Sequence, residues 1–241
     1  MTLARSLSFA LLLVLPLASA EARAMGVGLR SAGACASGEL AAFGRPGPQV
    51  RPAVADSAML SLFQSGQAFP DFLAAAKARR EGWHRIADSA VIADALIARA
   101  RAVGGTWHML VIAIDSCGDS MNSVPYVAKL ASQVPGLDLR IVLPAEGKAV
   151  QERFRTLDGR PTTPTYVLLD AEGRERGCIT ELPKGIRRWA HDARGAKVAS
   201  DSIRAGISAF YAADRGVSIV TETIELMEAA RDGRMVCERG E

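Results

Sequence analysis

Apolar side chains in the first half of the chain recur at helical spacing and then at the spacing of a strand. Residues 69–87 and 92–103 carry them at helical intervals, so two amphipathic helices are predicted before the first strand. Residues 107–114 form a nearly continuous apolar run of strand length. Such a run is typical of a strand buried on both faces in the middle of a sheet, and we expect it to be the centre of the fold.

The second half of the chain alternates between predicted strands and helices. A helical face over 124–134 leads to a short apolar strand over 139–143, and strand, helix and strand in this order indicate a parallel crossover. Residues 165–169 and 174–179 are predicted strands joined by a turn at 170–173, so they should pair as an antiparallel hairpin. Three further helices follow the hairpin: one over 183–197 and two with apolar faces within 203–211 and 220–227.

Residues 1–24 have the pattern of a cleaved secretory signal peptide. Arg5 precedes a short apolar run, and two A-x-A tripeptides end at Ala20 and Ala24. The run is shorter than the roughly 20 residues of a membrane-spanning helix, and no later segment is suitably apolar. We therefore expect a periplasmic or secreted protein with no stable membrane insertion after cleavage; an uncleaved N-terminal anchor is the alternative.

Residues 25–56 are rich in glycine and proline without an apolar period, so they are predicted to form a flexible linker.

The composition and charge of the whole chain narrow the possible classes of protein. The whole chain of 241 residues is 49% hydrophobic, which is enough for a sizeable core. Its 29 basic and 26 acidic side chains give a net charge of +3, which does not require a polyanionic partner, and no nucleic acid is expected.

The candidate chemistry lies where the first strand ends. Cys117 follows that strand directly and precedes a predicted helix, whose unpaired amides and dipole favour the reactive thiolate. The carboxylate of Asp119 acts in the opposite direction, because it disfavours a second negative charge nearby. Pro125 lies eight residues after the cysteine, and Thr163-Pro164 introduces a later strand where a cis peptide bond could turn the chain toward the thiol. The alternative is that Cys117 is inert and partly buried.

Residues 105–198 resemble the thioredoxin superfamily in these landmarks. The superfamily has Cys-x-x-Cys or Cys-x-x-Ser at the same junction, a proline eight residues later and a cis proline before the hairpin. Cys117 with Ser120, Pro125 and Pro164 occupy those positions. The chain is also similar to bacterial thioredoxin-family proteins with a Trp-Cys-Gly-Asp-Ser motif, although Ser116 stands in place of the tryptophan.

This resemblance implies an α/β, thioredoxin-like fold, in which a central mixed sheet is flanked by helices. The domain is predicted over 57–236. It comprises an N-terminal helical extension over 57–104, a core over 105–198 and C-terminal helices over 199–236.

The resemblance also implies a monothiol thiol–disulfide oxidoreductase. Cys117 would form mixed disulfides with protein or low-molecular-weight thiols, and Ser120, which cannot form an internal disulfide, would cap the helix. Asp119 would tune the thiolate, and Thr163-Pro164 would present backbone to the substrate. No metal, flavin or nucleotide is implied. A non-catalytic peptide-binding module is the main alternative, and a thiol peroxidase fits less well because no Thr-x-x-Cys site is present.

The remaining cysteines leave several pairings open. We favour a structural disulfide between Cys178 and Cys237, which would close a loop of about 60 residues and contribute on the order of 4 kcal/mol. Four cysteines allow three full pairings, and the sequence does not choose among them. Cys35, in the predicted linker, is either a spare thiol or the thiol that resolves a mixed disulfide at Cys117. The three histidines lack the spacing of a zinc site.

The helix predicted over 183–197 carries a basic face. We expect this face to be solvated, with docking to an acidic partner or to anionic lipid headgroups as the alternative. The face consists of Lys184, Arg187, Arg188, His191 and Arg194.

Overall fold

A computed structural model describes residues 57–238 of the protein. The predicted signal peptide over 1–24, the predicted linker over 25–56 and Cys35 lie outside the described residues, so these remain predictions.

Helices and strands alternate through the middle of the described chain and helices predominate at both ends. The helices are α1 (Ser57–Ser65), α2 (Phe69–Ala75), α3 (Arg80–Ser89), α4 (Asp94–Val103), α5 (Gly118–Ala131), α6 (Lys148–Arg153), α7 (Lys184–Gly195), α8 (Ser200–Asp214) and α9 (Val217–Arg231). The strands are β1 (Gln67–Ala68), β2 (Trp107–Ile112), β3 (Leu137–Val142), β4 (Thr165–Asp170), β5 (Glu175–Thr180) and β6 (Val236–Cys237).

The strands form one mixed sheet in the order β1-β3-β2-β4-β5-β6. β2 pairs with β3 in parallel and with β4 antiparallel, which confirms the predicted crossover. β4 and β5 form the predicted antiparallel hairpin. The two-residue strands at the edges were not predicted: β1 is antiparallel to β3, and β6 is parallel to β5.

β2 is buried on both faces, as its apolar run predicts. Met109 and Val111 belong to a large core cluster that also contains side chains from α2, α3, α4, α5 and α9. Leu110 and Ile112 belong to a second cluster on the opposite face, which α1 and α6 cover. The strand ends at Ile112, two residues earlier than predicted. Helices therefore enclose the sheet from both sides.

The N-terminal helices differ from the prediction. Two helices were expected before the first strand, but the described chain has four there. The apolar spacing over 69–87 spans both α2 and α3, and the backbone breaks between them because Ala76 is extended and Arg79 is left-handed, with φ of 52°. Neither feature changes the spacing of the apolar residues, so that spacing did not indicate a break between α2 and α3.

The basic face of α7 is only partly the solvated face that we expected: Lys184 and Arg188 are exposed, whereas Arg187 and Arg194 are paired within the protein. The Arg187 side chain is only 3% exposed and forms ion pairs with Glu222 and Glu238. Arg194 pairs with Glu181. Folding places α9 and the C-terminal tail against this helix and supplies the carboxylates.

Candidate functional site

The segment between β2 and α5 is fixed to the connection between α2 and α3. The Asp115 carboxylate accepts hydrogen bonds from the amides of Lys77 and Ala78, both at 2.8 Å. The carbonyl of Asp115 accepts one from the indole N–H of Trp83, also at 2.8 Å. Desolvation opposes ionisation of this carboxyl, but the backbone N–H groups outweigh it and hold its pKa below the usual range. These contacts anchor the chain two residues before Cys117.

The Cys117 sulfur lies at the start of α5, facing the segment that leads into β4. Cys117 has extended backbone angles and is the N-cap residue of α5, and its Sγ accepts a hydrogen bond from the Ser120 amide at 3.4 Å. The thiol donates to the carbonyl of Thr163 at 3.1 Å. Cys117 is partly exposed and is not in a disulfide. A substrate could therefore reach a sulfur whose position is set from two sides.

Ser120 does not have the capping role that we expected of it. Because the sulfur of Cys117 occupies the cap position, α5 begins at Gly118 and Ser120 lies inside its first turn. The Ser120 side chain is fully buried, and its hydroxyl has no hydrogen-bond partner among the described residues. The contact of Ser120 with the sulfur is made by its backbone N–H.

The Thr163–Pro164 segment lies opposite the sulfur. Its peptide bond is cis, in agreement with the sequence expectation. The carbonyl of Pro164 accepts a hydrogen bond from the Glu181 amide at 2.9 Å, which joins this segment to the end of β5. The Thr163 carbonyl receives the thiol hydrogen bond, so the structure brings both residues of this segment to the same place as Cys117.

Asp119 lies in the first turn of α5, under the electrostatic influence of groups that the sequence did not indicate. Burial and the negative charge of Glu181 raise its pKa to about 6, while Tyr211, Arg194 and Arg79 lower it and only partly compensate. These four residues come from four separate segments, so no local spacing relates them to Cys117. Asp119 is therefore tied electrostatically to the C-terminal helices as well as to the thiol region.

A disulfide lies away from this site, at the edge of the sheet. It joins Cys178 of β5 to Cys237 of β6, the pair that we favoured from the sequence, with Cα atoms 4.6 Å apart. Arg187 and Arg188 pair with Glu238 directly beyond it. The C-terminal tail is thus attached to the sheet by a covalent bond and by ion pairs.

Residues 57–238 contain neither a metal-binding cluster nor a membrane-spanning helix. No group of three or more histidine, cysteine, aspartate or glutamate side chains there is arranged to hold a metal ion. No helix in that range has both the length and the apolar character needed to cross a membrane.

The mixed sheet, with a cysteine at a strand-to-helix junction facing a cis proline, defines an α/β protein of thioredoxin-like fold. The thioredoxin family model matches residues 66–194, which is more than half of the chain. The chain belongs to the thioredoxin family. No curated protein sequence is significantly similar to it.

Two solved structures show the same fold. One is a protein of unknown function from Pseudomonas aeruginosa, with a TM-score of 0.57 and 19% identity, covering 71% of this chain and 97% of the other. The other is an HIV epitope-scaffold, with a TM-score of 0.56 and 18% identity, covering 70% of this chain and 97% of the other.

Proposed function

We propose that this protein is an exported monothiol thiol–disulfide oxidoreductase that acts on protein or low-molecular-weight thiols. The observation that carries this proposal is the position of Cys117, partly exposed at the head of α5 and 3.1 Å from the Thr163 carbonyl. A thiolate is the attacking species in disulfide exchange. The Ser120 N–H, which points at the sulfur, is a suitable donor to that negative charge.

The chemistry would proceed through one mixed disulfide. The Cys117 thiolate attacks one sulfur of a disulfide, the new S–S bond forms, and the other half leaves as a thiolate. Ser120 offers no second sulfur, so a thiol from outside the motif must then attack the mixed disulfide and release Cys117. Each cycle therefore uses a separate thiol, which regenerates Cys117 and is joined to the trapped half in a new disulfide.

The backbone of Thr163 supports a role in holding an extended substrate. Its N–H has no hydrogen-bond partner among the described residues. An unpaired N–H beside the sulfur can bond to a carbonyl of a substrate strand, as in strand addition at a sheet edge. Thr163 and Pro164 would then position a peptide or small disulfide across Cys117.

Export is supported by two independent features. The first 24 residues have the pattern of a signal peptide. The disulfide between Cys178 and Cys237 is of a kind that persists in oxidising compartments such as the periplasm.

Selective alkylation tests the proposal. In a Cys35→Ala background the oxidised protein has Cys117 as its one free thiol, so iodoacetamide labels that position alone. We expect Cys117 to react faster than a model thiol at neutral pH and, after exposure to a small disulfide, to gain the mass of one mixed disulfide. Cys117→Ala in the same background is the control and should gain neither label.

The alternative, a non-catalytic binding module, makes a different prediction. If Cys117 reacts no faster than the model thiol, and the Cys117→Ala variant captures the same partners as the unaltered protein, the oxidoreductase proposal is wrong. Partners that are captured through a disulfide, and are lost in the Cys117→Ala variant, support it.

A further inference from the structure

A cavity of about 600 Å³ opens beside Cys117, between the first turn of α5 and helix α8. Its volume is typical of a site for a small molecule. Gly118 and Asp119, which directly follow the cysteine, form one side, and Ile203, Ile207 and Tyr211 of α8 form another. Helix α8 begins at Ser200, beyond the residues that match the thioredoxin family, so this wall is an addition to the family core.

The cavity carries a concentration of positive charge. Four arginines from four different segments line it: Arg79, Arg160, Arg194 and Arg204. Asp119 is the one carboxylate among the residues that line it. Arginine is the side chain best suited to bind carboxylate groups, because its planar donors match the two oxygens.

Two of these arginines are not neutralised by a buried partner. Arg79 has no carboxylate within ion-pair distance among the described residues. Arg204 pairs with Asp201, but both side chains are largely exposed, so the pair is weak and solvent competes with it. The other two arginines, Arg160 and Arg194, pair with two carboxylates, Glu181 and Asp158, so the charge available to a ligand is that of Arg79 and Arg204.

Arg79 brings this charge next to both chain neighbours of Cys117. Its Nε donates to the carbonyl of Ser116 at 2.7 Å, on one side of Cys117. On the other side, a Cβ placed on Gly118 would lie 3.9 Å from the Arg79 Cζ. Cys117 itself does not line the cavity, but the residues directly before and after it are in contact with a guanidinium group that does.

We propose that the cavity binds the carboxylate-bearing part of a small thiol or disulfide while Cys117 exchanges with the sulfur of that molecule. This inference rests on the proposed function and narrows its substrate class to small anionic thiols. Arg79 and Arg204 would hold the carboxylates, and the isoleucines of α8 would contact the carbon chain.

The reaction balances with two thiols and one disulfide. Cys117 loses its proton to solvent, its thiolate forms a bond to one sulfur of the anionic disulfide, and the other half leaves as a thiolate. A second small thiol in solution then attacks the mixed disulfide through its own thiolate. The products are the Cys117 thiolate and a new disulfide that joins the trapped half to the second thiol, so the second thiol is oxidised and the half that left first is reduced.

Three disulfides of similar size but different charge test the inference. Dithiodipropionate is anionic, hydroxyethyl disulfide is neutral and cystamine is cationic. The rate of mixed-disulfide formation at Cys117 is divided by the rate of the same probe with mercaptoethanol, which removes differences in intrinsic reactivity. In the Cys35→Ala background we expect the corrected rates to fall from the anionic to the neutral to the cationic probe.

Substitution of the arginines should remove this order. Arg79→Gln and Arg204→Gln should each lower the rate with dithiodipropionate about three- to ten-fold more than they lower the rate with hydroxyethyl disulfide. Arg234→Gln is the matched control, because Arg234 is also an exposed arginine paired with a nearby aspartate but lies outside the cavity. Added NaCl should reduce the advantage of the anionic probe in the unaltered protein, a measurement that requires no variant to fold.

The outcomes separate the two proposals. Equal corrected rates for the three probes, or an anionic preference that neither salt nor the cavity variants change, overturn the inference and leave the oxidoreductase proposal standing. If Cys117 reacts with none of the probes, both the oxidoreductase proposal and the inference about the cavity are wrong. If Arg234→Gln lowers the rate with dithiodipropionate as much as the cavity variants do, the role of the cavity is also overturned.

Discussion

Breaking the bond between Cys178 and Cys237 should strongly destabilise the protein. The two residues are 59 positions apart, and the loop that they close contains α7, α8 and α9. In the chain-entropy model, a loop of this length contributes about 4 kcal/mol to the free energy of unfolding, because the bond restricts the unfolded chain. For a domain of this size, we expect the melting temperature to fall by about 8–16 °C.

Urea titration of the oxidised and the reduced protein measures this effect. Reduction keeps both sulfur atoms in place, so the difference isolates the cross-link from any change in packing. The double variant Cys178→Ala/Cys237→Ala should lose about 1 kcal/mol more, since Cys178 is 2% exposed within the core and its truncation leaves a small cavity. A Cys35→Ala/Cys117→Ala background prevents exchange with other thiols of the chain during reduction.

One result would refute this reasoning. If reduction lowers the free energy of unfolding by less than about 1 kcal/mol, while peptide mapping shows the bond intact in the oxidised sample, the cross-link does not act through the unfolded chain. The ion pairs of Glu238 with α7 would then be sufficient to hold the tail.

Three further predictions concern single side chains. Burial raises the pKa of Asp119 from 3.8 to about 6, so the folded protein binds this proton more tightly than the unfolded chain does. As the pH rises from 3.8 to about 6, the free energy of unfolding should therefore fall by at most about 3 kcal/mol. Asp119→Asn should remove that slope in urea titrations at a series of pH values, and an unchanged slope would contradict the assignment. Ser120→Cys should form an internal disulfide with Cys117, which blocks labelling by iodoacetamide until a reductant is added. The control Ser120→Ala should leave the labelling unchanged. If Cys117 is labelled in Ser120→Cys without a reductant, the two positions cannot be bridged. Arg187→Met should lower the free energy of unfolding by about 3–5 kcal/mol because it leaves two carboxylates without their buried partner. Substitution of the exposed Arg188 by Gln should lower it by less than about 0.5 kcal/mol. Equal losses of stability for the two variants in chemical denaturation would argue against the burial effect.

The centre of the fold could be predicted because its signals are local. The strand at 107–112 is a nearly continuous apolar run, and the hairpin is marked by the turn at 170–173. The cysteine at the junction and the proline at position 164 are landmarks at fixed places relative to those strands. Each of these features is determined by a few consecutive residues.

The features that the sequence did not reveal depend on distant parts of the chain. β1 and β6 are each two residues long, too short to show a period, and exist because a neighbouring strand offers an edge. The capping role passes from Ser120 to Cys117 because the sulfur sits at the helix start, which the preference of serine for caps does not reveal. The basic face of α7 is partly paired because folding brings the carboxylates of Glu222 and Glu238 to it.

The monothiol motif and the arginine-lined cavity have related chemical consequences. Because Ser120 carries no sulfur, a mixed disulfide formed at Cys117 in the proposed reaction would have to be released by a thiol that arrives from outside the motif. In the proposed site, a small thiol would approach through the cavity beside Gly118. The positive charge of Arg79 would raise the local concentration of anionic thiols for both the attack and the release. The same cavity would therefore serve the two half-reactions that a site with one sulfur has to separate.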